Sequence, residues 1–256
     1  MKSKISVLKI IFPLCIFIIN VMSVPYPGFC TDGISGRYVN RTFLEQLPGR
    51  IPGTIPVYCL EINFSGNDSA EIFNGFEEYK LAYRTVNKNN VFEKAMQGND
   101  LHFTVTETGD ILLFDSAWTG IKGSSAFRKI NEDQYNSGDK WVIEKYLNEK
   151  MLAGNYILSD KSKSSGDKII LSSDGKVNGL RDYTAYKICY SGDCTEETKP
   201  VSNTVNFIND RGTLTTYSFE YDNEKNSVIF RKIADPDPGI KGEREIGEIV
   251  FELVKE

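Results

Sequence analysis

The sequence contains a single histidine, His102, and this scarcity restricts the chemistry available to the protein. A Ser-His-Asp triad would have to use His102, and no Gly-x-Ser-x-Gly turn accompanies it. One histidine is also too few for a catalytic site in which several imidazoles hold a transition metal. No glycine-rich phosphate loop opens a helical pattern. We therefore predict a protein that is not an enzyme and that has no catalytic residue, metal or cofactor.

Clusters of basic residues are also missing. The chain has 30 lysines and arginines against 35 aspartates and glutamates, a formal net charge of −5. Three of the lysines, Lys2, Lys4 and Lys9, lie in the first residues, and their removal would take the charge to −8. An acidic chain is repelled by phosphate backbones. We predict that nucleic acid is not a partner.

One apolar run stands out, and it lies near the N-terminus. The basic first residues are followed by the apolar stretch Ile10–Ile19 and then by Val21-Met22-Ser23, which suits a signal peptidase. The run is shorter than the roughly 20 residues that a membrane span needs, although an uncleaved anchor is the alternative. We predict a signal peptide at 1–23, a secreted or periplasmic location, and no stable membrane insertion after cleavage.

The strongest positive feature is an internal repeat. The stretch Asn74–Tyr79 resembles Asn178–Tyr183, which lies 104 residues later, and Phe127–Ile130 recurs identically as Phe230–Ile233. Segments that keep their order at a near-constant offset of this size indicate two copies of one domain, because solenoid units are shorter. The predicted organisation is a signal peptide at 1–23, a first β domain at 24–133, a helical linker at 134–150 and a second β domain at 151–256.

Both copies show the two-residue alternation of half-buried strands. Leu101 and Phe103 alternate with polar residues in the first copy, as Tyr186 and Ile188 do in the second. Turn-forming residues separate these short segments, which is typical of antiparallel all-β domains. In one strand the alternation assigns Tyr58, Leu60, Ile62 and Phe64 to the buried face and Cys59, Glu61 and Asn63 to the solvent face. We predict two tandem antiparallel β-barrels of about seven or eight strands each, with β-sandwiches as the alternative.

A Gly-x-aromatic motif opens the first strand of each copy, as Gly36-Arg37-Tyr38 and as Gly154-Asn155-Tyr156. Followed by an antiparallel meander of this length, it resembles the lipocalin-like, or calycin, barrels, many of which carry tryptophan where this chain has tyrosine. The resemblance implies a tandem pair of such barrels. Members of that superfamily mostly hold small apolar ligands, and some proteins of similar shape inhibit enzymes.

Four cysteines remain after the predicted signal peptide. An even number in an exported chain indicates disulfides, and three pairings are possible. The cysteines of each copy have no cysteine counterparts in the other, which favours pairing within each copy: Cys30 with Cys59 and Cys189 with Cys194. The spacings fit no zinc module.

Aromatic residues are plentiful, with 13 tyrosines and 15 phenylalanines. On inward faces they would either fill a small barrel or line a ligand cavity. The candidate ligand-lining residues are Tyr38, Tyr79, Tyr83, Tyr156, Tyr186, Tyr217 and Phe219. We predict a binding protein for a small apolar or amphipathic ligand held inside a barrel. The alternative is an interaction module for an extracytoplasmic protein, such as an inhibitor of a secreted enzyme, acting through its loops and the Pro/Gly-rich insertion Leu47–Pro56.

Overall fold

The structure, a computed structural model, describes residues 34–66, 68–86, 89–96, 98–114, 124–131, 140–159, 166–191, 198–234 and 244–256. All of these residues belong to one compact unit, Thr31–Glu256. The predicted signal peptide and Cys30 lie outside the described residues. The described parts of both predicted β domains fall within Thr31–Glu256, and the domain boundaries stay predictions. None of the helices in the described ranges has the length and apolar character needed to cross a bilayer.

The first half of this unit is a closed antiparallel barrel of eight strands, each paired with its neighbour in sequence. Pairing of the first strand with the eighth, at Tyr38 and Lys129, closes the cylinder. The barrel predicted for this half is confirmed, and the sandwich alternative is wrong here. The strands are β1 (Gly36–Asn40), β2 (Glu61–Phe64), β3 (Ser69–Phe73), β4 (Glu78–Val86), β5 (Asn89–Met96), β6 (Asn99–Val105), β7 (Ile111–Phe114) and β8 (Ser124–Lys129).

The second half is a nine-stranded sheet that does not close. Its last strand pairs with both its first and its penultimate strand, so the sheet curls back on itself. Its strands are β9 (Gly154–Ser159), β10 (Lys168–Leu171), β11 (Val177–Asn178), β12 (Tyr183–Ile188), β13 (Thr198–Lys199), β14 (Asn203–Asn209), β15 (Leu214–Asp222), β16 (Ser227–Ile233) and β17 (Arg244–Lys255). β13 pairs in parallel with β17, off the main path.

The opening in the second sheet lies between β11 and β12. Within the described residues, the two strands are joined by one isolated bridge, between Lys176 and Ala185, instead of a continuous ladder. β11 has only two residues, because turns containing Gly175 and Gly179, both at positive φ, bracket it. The prediction of a second closed barrel is therefore wrong, since β11 is too short to seal it.

On strands that have one solvent-facing side, the alternation correctly predicts which residues are buried and which are exposed. In β6, Leu101 and Phe103 are buried and His102 is exposed. In β4, the buried Tyr83 lies between two exposed residues, Ala82 and Arg84. These strands follow the period of two because outer-face side chains such as His102 and Arg84 are exposed to solvent.

The interior of the barrel is packed with aromatic rings. Phe92 and Phe103 stack with their ring centroids 4.4 Å apart, and Phe64 lies 5.2 Å from Tyr83 in an edge-on arrangement. Such ring pairs add to the stabilisation from burial alone. The barrel core consists of Ile34, Tyr38, Tyr58, Cys59, Ile62, Phe64, Ala70, Ile72, Tyr83, Phe92, Leu101, Phe103, Ile111, Leu113 and Phe127.

A second buried cluster, here called the shared core, takes residues from both halves. The barrel contributes Val39 and Leu60, and the second sheet contributes Phe207, Phe230 and Phe251 among others. Two short elements of the first half also belong to it: the helix α1 (Arg41–Leu44) and the loop with a 3₁₀ turn at Pro52–Thr54. The two sheets are therefore joined through packed side chains.

The predicted helical linker at 134–150 corresponds only in part to a helix in the structure. The helix α2 spans Ile143–Met151, and residues 132–139 lie outside the described ranges. Ile143, Leu147 and Met151 are buried in the shared core. Because one face of α2 is packed in this way, the helix is part of the core and does not act as a spacer.

The repeated segments occupy partly equivalent places. Gly75 and Gly179 both lie at positive φ in the turn between the third and fourth strands of their halves. Phe127 lies in β8, the last strand of the barrel, whereas Phe230 lies in β16 and one more strand follows it. The repeated segments thus occupy the same turn in both halves, but the second half has one more strand after its repeated segment than the first half has. The duplication stays a prediction.

Gly179 is the position at which a side chain is least tolerable. A Cβ atom there would lie 2.1 Å from the Lys168 carbonyl oxygen, in addition to the cost of its φ of +85°. We expect Gly179→Ala to lower the free energy of unfolding by about 3–5 kcal/mol. Gly109→Ala is the matched control, since Gly109 has a φ of +82° and open space around it. Its expected cost is about 1–2 kcal/mol, so equal losses in urea unfolding would contradict the steric explanation.

Phe103 tests the contribution of the barrel core. Its side chain is fully buried against Phe64, Tyr83 and Phe92. We expect Phe103→Ala to cost about 3–5 kcal/mol in thermal or urea unfolding, because it leaves a cavity among packed rings. Phe114→Ala, at a half-exposed phenylalanine on the neighbouring strand, should change stability by about 0.5 kcal/mol. Similar losses for both variants would show that the rings are loosely packed.

Candidate functional site

A groove of about 800 Å³ lies where the second sheet fails to close, between α2 and β12. One wall is α2 together with the two residues before it, and the opposite wall is β12 with the turn before β11. The lining residues are Trp141, Val142, Glu144, Lys145, Leu147, Asn148, Ser172, Ser173, Asp174, Gly175, Lys176, Ala185, Tyr186, Lys187, Ile188 and Ile208. The helix thus covers the open seam of the sheet incompletely and leaves a concave surface.

Hydrogen bonds from both walls hold the turn at the bottom of the groove. The Tyr186 hydroxyl donates to the Ser172 carbonyl at 2.9 Å, and the Asn148 side-chain amide donates to the Ser173 carbonyl at 3.0 Å. The Tyr186 backbone N–H donates to the Gly175 carbonyl at 2.7 Å. Because the helix and the strand both donate hydrogen bonds to the same turn, the groove is a preformed feature of the fold.

Gly175 allows the turn and the strand to approach this closely. It has a φ of +80°, and a Cβ atom there would lie 2.9 Å from the Tyr186 carbonyl oxygen. A larger residue would push the turn away from β12. The glycine in the turn Ser173-Asp174-Gly175 therefore serves the groove as well as the chain reversal.

The rim of the groove is charged and its interior is apolar. Glu144 on α2 pairs with Lys187 on β12 at 2.7 Å and accepts a hydrogen bond from the Tyr190 hydroxyl at 3.1 Å. On the other side, Lys176 pairs with Asp174 at 2.7 Å, and this hydrogen bond lowers the pKa of the Asp174 carboxyl. Below these pairs lie the buried side chains of Val142, Leu147 and Ile188. This combination suits a ligand with one apolar and one polar part.

The start of α2 is held by a residue from the barrel. Val142, at the N-cap position, makes no side-chain capping bond. Instead, Oε1 of Glu61 on β2 accepts hydrogen bonds from the backbone N–H groups of Val142, at 2.5 Å, and Ile143. These are donors that a helix cannot satisfy internally, and a carboxylate also complements the positive end of the helix dipole.

Glu61 is unusual because it is 1% exposed. Burial raises the pKa of its carboxyl to about 7, although the hydrogen bonds from Ile143 and Val142 favour the charged form. Its second oxygen, Oε2, has no hydrogen-bond partner in the described part of the chain. Loss of water around the carboxyl therefore outweighs the two backbone contacts, and the group titrates near neutrality.

Trp141 adds a second contact between the start of α2 and the barrel. Its ring stacks on Phe73 of β3 with centroids 5.0 Å apart, and its Nε1 donates to Glu78 of β4 at 2.5 Å. Lys140 pairs with the same carboxylate, and this contact lowers the pKa of Glu78. Three strands of the barrel thus fix the segment that leads into the groove wall.

Of the seven candidate ligand-lining residues, the structure places Tyr186 on the groove. Tyr38, Tyr79 and Tyr83 pack in or against the barrel core, and Tyr156, Tyr217 and Phe219 pack in the shared core. Their hydroxyls largely contact the protein itself: Tyr156 donates to the Leu152 carbonyl at 2.7 Å, and Tyr217 contacts Tyr183 at 2.8 Å. The structure does not bring the seven side chains together around one site.

The cysteines do not provide a common site either. Cys59 is a buried free thiol, so the predicted pairing of Cys59 with Cys30 is not found in the structure. Burial raises the pKa of this thiol well above its ordinary value. Cys189 is buried, and Cys194 lies outside the described residues, so their pairing stays a prediction. Among the residues that the structure covers, no three His, Cys, Asp or Glu side chains are grouped as metal ligands would be.

Sequence alternation predicted a solvent-facing position for Glu61 and Cys59, and this was wrong. β2 begins only at Glu61, so Cys59 precedes the strand and turns into the barrel core. Glu61 does point away from the barrel interior, but α2 covers that outer face. No local pattern reports a helix that arrives about eighty residues later in the chain.

Comparison with known proteins adds no relative: no family model, curated protein or solved structure matches this chain. The resemblance to calycin barrels is therefore supported at the level of architecture alone, by the closed eight-stranded antiparallel barrel of the first half.

Glu61 variants test the capping contact. At about pH 5, Glu61→Ala should lower the free energy of unfolding by about 1–3 kcal/mol, because it leaves the N–H groups of Val142 and Ile143 without an acceptor. Glu61→Gln keeps an acceptor oxygen and should lose less than about 1 kcal/mol at the same pH. Equal losses for the two variants in urea unfolding would show that the cap does not contribute.

Proposed function

We propose that this protein is a non-enzymatic binding protein that holds a small amphipathic ligand in the groove between α2 and β12. The observation that carries the proposal is the groove itself, a preformed concavity of about 800 Å³ with an apolar interior and a charged rim. Ligand sites in proteins are generally pockets of about 300–1,000 Å³ with mostly apolar walls and a few placed polar groups. The groove matches this description in size, and its lining is divided about evenly between polar and apolar residues, as an amphipathic ligand requires.

The packing of the barrel favours the groove over the barrel interior as the ligand site. Phe92 and Phe103 stack at the centre of the barrel, and Phe64 and Tyr83 pack against both. A ligand placed there would have to displace rings that already contact one another closely. The groove requires no such displacement, since it is already open to solvent on one side.

The place of action that we propose is outside the cytoplasm. The support is the N-terminal pattern of basic residues, the apolar stretch Ile10–Ile19 and the small residue Ser23. An exported protein that captures an amphipathic compound would meet it in solution or at the surface of a membrane. The acidic net charge of the chain favours neutral or cationic compounds over polyanions at long range.

The alternative, an interaction module for an extracytoplasmic protein, has one feature in its favour. Phe76, at the tip of the turn between β3 and β4, is 74% exposed. The Pro/Gly-rich insertion Leu47–Pro56 favours it less, because Leu47, Pro52 and Ile55 are buried and the insertion packs down on the protein. A projecting inhibitory loop would instead leave such side chains accessible to its target.

A dye-binding experiment tests the groove. The probe is anilinonaphthalene sulfonate, an amphipathic dye that fluoresces in apolar surroundings, titrated into residues 24–256 of the chain. Ala185 lines the groove, and Ala185→Trp would fill it with a large ring. We expect saturable binding by the unmodified protein. The affinity of the variant should be lower by at least about tenfold.

Thr184→Trp is the matched control, since Thr184 is the exposed neighbour of Ala185 on β12 and does not line the groove. Its dye affinity should equal that of the unmodified protein. Equal weakening in both variants, or no saturable binding at all, would count against a ligand in the groove. Native mass spectrometry with organic extraction of the same protein then identifies any compound that co-purifies.

A further inference from the structure

We propose that the contact between Glu61 and the first turn of α2 is a proton-controlled latch on the groove, closed while the carboxyl carries its proton and loosened when the proton is lost. This inference rests on the proposed function, because it describes how access to that same groove is regulated. The observations that carry it are the burial of Glu61, its place at the helix start and the role of α2 as a groove wall.

The latch and the groove share their residues. Val142, whose N–H donates to Glu61, also lines the groove, and so does Trp141 immediately before it. Glu144, in the first turn of α2, forms the charged rim with Lys187. A displacement of the first turn of the helix therefore moves the entrance of the groove directly.

The charged and titratable groups around Glu61 come from four elements. Arg37 on β1 favours the ionised carboxylate, and Glu144 on α2 opposes it. The Cys59 thiol, just before β2, is buried beside the carboxyl, and Tyr146 on α2 and Tyr190 after β12 also face it. The positive and negative neighbours offset each other in part, so the loss of hydration remains the dominant influence on Glu61.

The direction of the pH effect follows from linkage. In the closed state the Glu61 pKa is about 7, whereas a hydrated carboxyl has its ordinary value of 4.5. Between these values the closed state retains a proton that the released state gives up, so rising pH favours release. The effect is absent below about pH 4.5 and complete above about pH 7, and the two pKa values limit it to about 300-fold.

The geometry explains why ionisation strains the contact. The charged form would bury an oxygen, Oε2, for which the described residues provide no donor. Movement of the first helical turn would admit water to that oxygen and restore its hydration. The amides freed from Glu61 can be hydrated in the same step, so the released state leaves no buried polar group unsatisfied.

Amide hydrogen exchange of the mature chain measures the latch without any ligand. The reporters are the backbone N–H groups of Lys145 and Tyr146, which donate to the Val142 carbonyl and so report on the first turn. Protection factors, corrected for the intrinsic effect of pH, would be recorded from about pH 5 to about pH 9. We expect them to fall by up to about 80-fold across this range and to level off above about pH 7, because the part of the effect below pH 5 lies outside it.

Two variants separate Glu61 from its neighbours. Glu61→Gln keeps the acceptor and cannot ionise, so its protection should stay flat with pH and match that of the unmodified protein at low pH. Glu78→Gln is the matched control, because Glu78 also contacts the start of α2 but titrates below the range examined. It should retain the full pH dependence. If Glu61→Gln fails to fold, the pH dependence of amide protection in the unmodified protein is sufficient to test the latch.

Each outcome is decisive. Flat protection in the unmodified protein, an equal fall in the reference strand β15, or loss of the pH dependence in Glu78→Gln would overturn the latch. A titrating latch together with a dye affinity that does not change with pH would overturn its coupling to the groove. A titrating latch in a protein that binds no dye would leave the switch in place and refute the proposed function instead.

Discussion

A buried carboxylate from the barrel caps the helix that packs between the two halves of this protein. Glu61 extends from the barrel and accepts the first backbone donors of α2, the helix that covers the open seam of the second sheet. Helix ends inside a protein are unstable unless their free N–H groups find an acceptor. The burial of a group that titrates near neutrality is the cost of this solution, and the capped first turn of α2 is also a wall of the groove.

The two sheets differ in whether their edge strands are paired with each other. The barrel pairs every strand with two neighbours, so no unpaired strand edge is left in it. The second sheet follows a similar up-and-down path but is interrupted beside β11, and packed elements cover the interruption. The closed half can therefore be filled completely with rings, whereas the open half has a surface that is accessible from outside.

Local patterns in the sequence were sufficient wherever an element has one dry and one wet face. The alternation around Phe103 and Tyr83 and the helix before the second half were recognisable in this way. The role of Glu61 was not, because its burial depends on a helix that is distant in sequence. The failure of the second barrel to close was equally hidden, since alternation gives no count of how many residues β11 contributes to its ladder.

Whether the second sheet closes depends on the length of one strand, β11. β3, in the barrel, has five residues, of which three pair with β2 and all five pair with β4, whereas β11, at the corresponding place, has two residues. Insertion of a few residues between Gly175 and Gly179 would extend that ladder towards β12 and seal the cylinder. The width of the opening between β11 and β12 thus depends on the length of β11. Evolution or design can widen or close it without altering the core beneath it.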